Sequence, residues 1–194
     1  TKYVDSLEMK NLLDAGINNF GENRVDSFLT KYEELKEYKE IKWHFIGHLQ
    51  RNKANKIINK IDYLHSLDSL ELASLINEKR TSPLNVFVEV SINQEATKSG
   101  ISPESAREFI SKLLEFKNIN VVGLMMMSIK SSEHESLNNQ FTKLVQLRNN
   151  LEKELNIKLP NLSMGMSDDY MEAIECGSTH IRLGRILFDG YKPY

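Results

Sequence analysis

Apolar positions along this chain follow two rhythms, a helical spacing of three or four and short unbroken runs, and the two take turns from one end to the other. Leu7, Leu12 and Leu13 follow a cap at Asp5 or Ser6 and stop at Gly16, which predicts a helix with a glycine stop. A short strand over 17–20 then runs into Gly21-Glu22-Asn23, and Val25, Phe28, Leu29, Tyr32 and Leu35 mark a second helix. The alternation continues with strand 41–46, helix 49–61, strand 63–67 and a helix over 69–79 capped by Ser69. After Pro83 the stretch 85–92, with Val86, Phe87, Val88 and Val90, reads as the most deeply buried strand. Pro103 opens a helix reaching about Phe116, and strand 121–127 and a long helix over 135–155 follow. Leu162 and Ser163 then enter a glycine-containing turn, a short helix over 169–175 closes at Gly177, and 180–183 is the last strand.

Strands that alternate with helices imply a parallel sheet, because each parallel return needs a crossover. Seven strands are visible in this pattern, and Thr1 and Lys2, read as the tail of a truncated first strand, make eight. Eight favours a closed (β/α)8 barrel of the triosephosphate isomerase type over an open doubly wound sheet. On this reading an N-terminal helix and most of the first strand lie upstream of Thr1. With no internal repeat or linker, residues 1–194 are expected to form one barrel domain.

Composition narrows the partners. With 194 residues and 40% hydrophobic content the chain can bury a core, and a net charge of −2 gives no field to draw it to nucleic acid or an anionic membrane. Its single cysteine, Cys176, excludes an internal disulfide, and no apolar run approaches membrane-spanning length, so a reducing cytoplasmic setting and a small-molecule ligand are expected.

A barrel of this type gathers its chemistry where the strands end, and those positions are polar here: Lys2, Glu22, Asn23, His48, Gln50, Ser66, Asp68, Asn93, Ser128, the run 163–169, and 182–185. Lys2 taken alone is a solvated chain end. At a strand end inside a barrel mouth, desolvation leaves the amine neutral and able to add to an aldehyde. The run Ser163-Met164-Gly165-Met166-Ser167-Asp168-Asp169 joins a strand to a helix start, where free N–H groups favour phosphate, although Ser167 or Asp168 as a simple helix cap explains it equally and two carboxylates make poor phosphate neighbours. Arg182-Leu183-Gly184-Arg185 is a second phosphate candidate, with Gly184 admitting close backbone approach. His44 and His48 straddle a strand and its loop rather than one helix face, so a metal site is not expected, and Trp43 and His44 are assigned to packing. Met125 to Met127 read as core, Cys176 as structural, and Lys53, Lys56 and Lys60 as a solvated helix stripe.

The segments Phe20-Gly21-Glu22-Asn23, Trp43-His44-Phe45-Ile46-Gly47-His48-Leu49-Gln50 and Leu162 to Asp169 together resemble the pyridoxal phosphate homeostasis proteins, the YggS/PROSC-like group. Shorter matches fall in the same order at His65-Ser66-Leu67-Asp68, Lys98-Ser99-Gly100, Gly123-Leu124-Met125, Gly177-Ser178-Thr179 and Ile181 to Gly184. The resemblance implies a barrel like the N-terminal domain of alanine racemases, carrying pyridoxal 5′-phosphate as a Schiff base on Lys2. It further implies Arg182 against the pyridine nitrogen, phosphate on Ser163, Gly165, Met166 and Ser167 and on the backbone of Gly184 and Arg185, and Asn23 and His48 lining the pocket. A permanent cation at the ring nitrogen weakens the electron sink, consistent with a monomeric or weakly dimeric carrier that serves apo-enzymes without established turnover. The alternative is a racemase-like enzyme using the same cofactor, which needs a second acid/base from another domain. The group usually has a small hydroxyl residue where this chain has Arg185, which leaves only the backbone donor there.

Overall fold

The computed structural model describes residues 1, 4–93, 99–129 and 133–188. Lys2 lies outside the described residues. The seven strands are β1 (Asn19–Glu22), β2 (Lys42–Phe45), β3 (Tyr63–Leu67), β4 (Leu84–Glu89), β5 (Ile119–Met125), β6 (Asn161–Met166) and β7 (His180–Arg182). They pair in sequence order, every pair parallel, as a crossover at each step requires. The helices between them are α1 (Ser6–Asp14), α2 (Val25–Glu34), α3 (Arg51–Ala54), α4 (Leu70–Lys79), α5 (Ala106–Leu113), α6 (His134–Leu155), α7 (Tyr170–Glu175) and α8 (Arg185–Phe188).

Contacts across the inner face show that the sheet curls round on itself. His65 on β3 reaches Ser163 on β6, and the His44 ring on β2 lies 6.1 Å from the His180 ring on β7. Strands that far apart in an open sheet meet nowhere, so this is the nearly closed barrel of the triosephosphate isomerase type. Thr1 sits against the β1 edge, its amino group donating to the Gly21 carbonyl at 2.8 Å. On the outer face Trp43 packs among Phe20, Phe28 and Tyr32 of β1 and α2.

Several elements differ from the pattern-based expectation. Ile17 closes α1 instead of opening β1: Gly16, at φ +85°, turns the chain so that the N–H groups of Gly16 and Ile17 return to the carbonyls of Leu13 and Leu12. The helix expected over 49–61 is helical only at Arg51–Ala54 and then winds through turns that mix three- and four-residue hydrogen bonds. Asn52, Asn55, Asn59 and the β-branched Ile57, Ile58 and Ile61 are poor helix formers, and all three isoleucines are buried. Met127 is 41% exposed, unlike the buried Met125 and Met126.

Candidate functional site

The strand ends place the sequence-derived residues at one mouth. β6 continues through Met166, three residues past Ser163 and into the stretch expected to turn, and only 167–169 form the turn into α7. Gly165 allows this: its φ is +94°, and a Cβ there would lie 2.6 Å from the Cβ of Ala173 on α7. Its role is close packing of strand against helix. The two aspartates both have partners. Asp169 is buried and accepts from the Met166 N–H at 2.6 Å and from the Ser128 hydroxyl, while Asp168 pairs with Arg185 at 2.5 Å. At the tip, Ser167 Oγ and the Gly184 N–H meet at 3.3 Å and join the ends of β6 and β7.

Below that tip a line of hydrogen bonds crosses the barrel. Arg182 donates from one Nη to Ser163 Oγ at 2.6 Å and from the other to the Met126 carbonyl at 2.9 Å. Ser163 Oγ lies 2.8 Å from His65 Nδ1, His65 Nε2 lies 2.9 Å from His44 Nδ1, and His44 Nε2 lies 3.0 Å from Asn19 Oδ1. Ser163 is fully buried, and its hydroxyl lies between His65 and Arg182. Burial, with His180 nearby, lowers the His44 pKa to about 4, and burial followed by His44, Arg182 and His180 lowers that of His65 well below its ordinary value. Burial lowers Arg182 to about 10, against the opposing pull of Asp169 and Glu89, and leaves it a cation at neutral pH.

Across the mouth, Asn23 follows β1 and its buried Oδ1 has no hydrogen-bond partner. Gly47 presses on the Asn23 backbone, where a Cβ would lie 2.2 Å from the carbonyl oxygen, and this contact seats the exposed His48 beside the β1 end. His48 faces Asp68 at 3.8 Å. Glu89, at the end of β4, is 2% exposed: Ser99 donates to one oxygen at 2.6 Å and the other has no partner. Burial raises its pKa, with Asp68 adding to the rise, against lowering by Ser99, His48 and Arg182. Among the described residues no cluster of three or more His, Cys, Asp or Glu is placed to hold a metal, and no helix is long and apolar enough to cross a membrane.

Residues 5–192 match the family model for the alanine racemase N-terminal domain. A pyridoxal phosphate homeostasis protein of Aquifex aeolicus is 40% identical over 197 residues, spanning 100% of this chain and 86% of its own. One from Schizosaccharomyces pombe is 37% identical over 186 residues, covering 93% and 77%. The chain belongs to the pyridoxal phosphate homeostasis protein family. Another structure of similar form is PipY of Synechococcus elongatus, solved with PLP bound, at 28% identity and a TM-score of 0.88 over 96% of this chain and 89% of PipY. Alanine racemase of Clostridium difficile shares the fold at 21% identity and a TM-score of 0.73, over 96% of this chain and 49% of the racemase.

Within this family fold, reading the sequence missed three things. His44, assigned to packing, and His65, given no role of its own, form part of a polar line. Glu89 is hidden at the end of an apolar run, and Asp169 is the anchor of the β6 turn. The available signal was placement: an ionisable residue in an otherwise apolar strand, on the face that turns inward, needs a partner.

Proposed function

We propose that this chain binds pyridoxal 5′-phosphate at the barrel mouth, as a Schiff base on Lys2, and serves cytoplasmic pyridoxal phosphate homeostasis as a carrier without turnover of its own. The observation that carries the proposal is the meeting of Ser167 Oγ and the Gly184 N–H at the ends of β6 and β7. The Gly184 N–H donates to Ser167 Oγ there and leaves the serine proton to donate onward, and the aspartates that would repel phosphate are taken up by Arg185, Met166 and Ser128. The unpartnered Asn23 Oδ1 also fits a ligand that brings donors of its own.

In this proposal the phosphate rests on Ser167 and on the backbone of Gly184 and Arg185. Ser163 acts through Arg182, Gly165 keeps β6 close to α7, and Met166 is held by Asp169. When bound, the cofactor supplies an aldehyde, which condenses with a lysine amine and releases one water, and a pyridine ring that acts as an electron sink when its nitrogen is protonated. Arg182, charged at neutral pH and able only to donate, would disfavour protonation of that nitrogen. Asn23 and His48 would line the pocket. The protein acts as a monomer or weak dimer, delivers cofactor to apo-enzymes and binds neither nucleic acid nor membrane.

Titration of the protein with pyridoxal phosphate, followed by visible absorption, tests the proposal. A saturable visible band is expected, with affinity weakened by about tenfold in Ser167→Ala, the scale of one lost hydrogen bond to a charged group. A protein that stays colourless at saturating cofactor overturns it.

A further inference from the structure

The line of bonds from Arg182 to Asn19 does more than fill the barrel, because its direction is fixed from the Asn19 end. A guanidinium can only donate, so Ser163 Oγ accepts from Arg182 and keeps its own proton available for His65 Nδ1. At the far end Asn19 Nδ2 donates to Asn18 Oδ1 at 2.8 Å, which leaves Asn19 Oδ1 as an acceptor for His44 Nε2–H. A neutral His44 then accepts at Nδ1, and His65 Nε2–H supplies that donor. The Asn19 end thus sets the arrangement, and the Arg182 end accommodates it: two neutral imidazoles, each protonated at Nε2, with Ser163 donating to His65 Nδ1. The rings are held edge and face, with Tyr63 stacked 4.5 Å from His44 and Phe87 stacked 4.3 Å from His65.

We infer that His65 is a positioning residue that, with its tautomer set by His44 and Asn19, orients the Ser163 hydroxyl and thereby holds the Arg182 guanidinium at the angle it presents to the barrel mouth. This rests on the proposal that Arg182 disfavours protonation of the cofactor ring. With the Ser163 proton turned to His65, both of its lone pairs are free for Arg182. The guanidinium, anchored on Ser163 and the Met126 carbonyl, cannot rotate. A ring that offers no acceptor to Ser163 frees the hydroxyl to turn, and its proton then competes with Arg182.

Two variants separate this role from simple packing. His65→Phe keeps the stack on Phe87 and removes both bonds, whereas His65→Gln offers a carbonyl acceptor and an amide donor in place of Nδ1 and Nε2–H. Ring-nitrogen NMR of the protein without cofactor is expected to show His44 and His65 at pH 7 as single Nε2–H tautomers. Arg182 side-chain signals should be resolved in the wild type and His65→Gln but averaged in His65→Phe. Pyridoxal phosphate affinity should fall about tenfold in His65→Phe and stay within about threefold of wild type in His65→Gln. The inference is overturned if His65 is protonated at Nδ1 or charged at pH 7, or if a folded His65→Phe keeps resolved Arg182 signals. If His65→Phe fails to fold, the wild-type tautomer and the His65→Gln spectrum still decide. A wild-type protein that binds no pyridoxal phosphate contradicts the proposed function, while the ring-nitrogen spectra judge the line of bonds independently.

Discussion

Glu89 carries the least compensated burial at the barrel mouth. One of its oxygens has no partner, and its pKa is raised, so the folded state favours its protonated form. A group raised in this way costs stability as pH rises through its folded value, and the cost is absent where it is protonated. Glu89→Gln is therefore expected to raise the melting temperature at pH 8, by an amount corresponding to about 1 kcal/mol, and to make little difference at pH 5. Thermal melts at the two pH values check this, and an equal shift at both contradicts it. The histidines have the opposite sign. His44, lowered from 6.5 to about 4, takes up a proton more readily when unfolded, so its share of stability is complete above pH 6.5 and is lost as pH falls toward 4. Denaturant unfolding should show that loss, of order 3 kcal/mol, in the wild type and its absence in His44→Gln. Neither residue stood out in the sequence as part of a network. The His65 and Ser163 that meet inside the barrel are 98 positions apart, and only closure of the sheet brings them together.

At the scale of elements, β6 shows how a sequence signal can be right about a residue and wrong about its setting. Gly165 reads as turn punctuation, yet it lies inside the strand, where positive φ and a helix pressed against it both exclude a side chain. Gly165→Ala is expected to lose about 2–4 kcal/mol in denaturant unfolding. Ala173→Gly in the same chain should recover the part due to the clash, so that the double variant loses less than the sum of the two; simple additivity contradicts the packing account. Elsewhere the strands were legible because a parallel strand buried on both faces, such as β4, is a continuous apolar run. The segment after α3 was not, because its isoleucines satisfy a helical spacing while its asparagines and branched side chains favour tighter turns.

For the whole molecule, the order of the strands was legible and the contents of the barrel were not. Alternation of strand and helix leads directly to seven parallel strands in sequence order, and the barrel then collects the polar strand ends at one mouth. The interior is a different matter. His44, Tyr63, His65, Ser163 and His180 occupy space that branched aliphatic residues usually fill in such barrels, and this choice places a directed line of hydrogen bonds beneath the mouth. The account assigns that machinery to holding one cofactor through one amine. Borohydride reduction of the protein loaded with pyridoxal phosphate, followed by peptide mapping, tests this most directly. The account predicts the reduced cofactor on the peptide that carries Lys2; a Lys2 peptide recovered unmodified, with label on another lysine or on none, contradicts it.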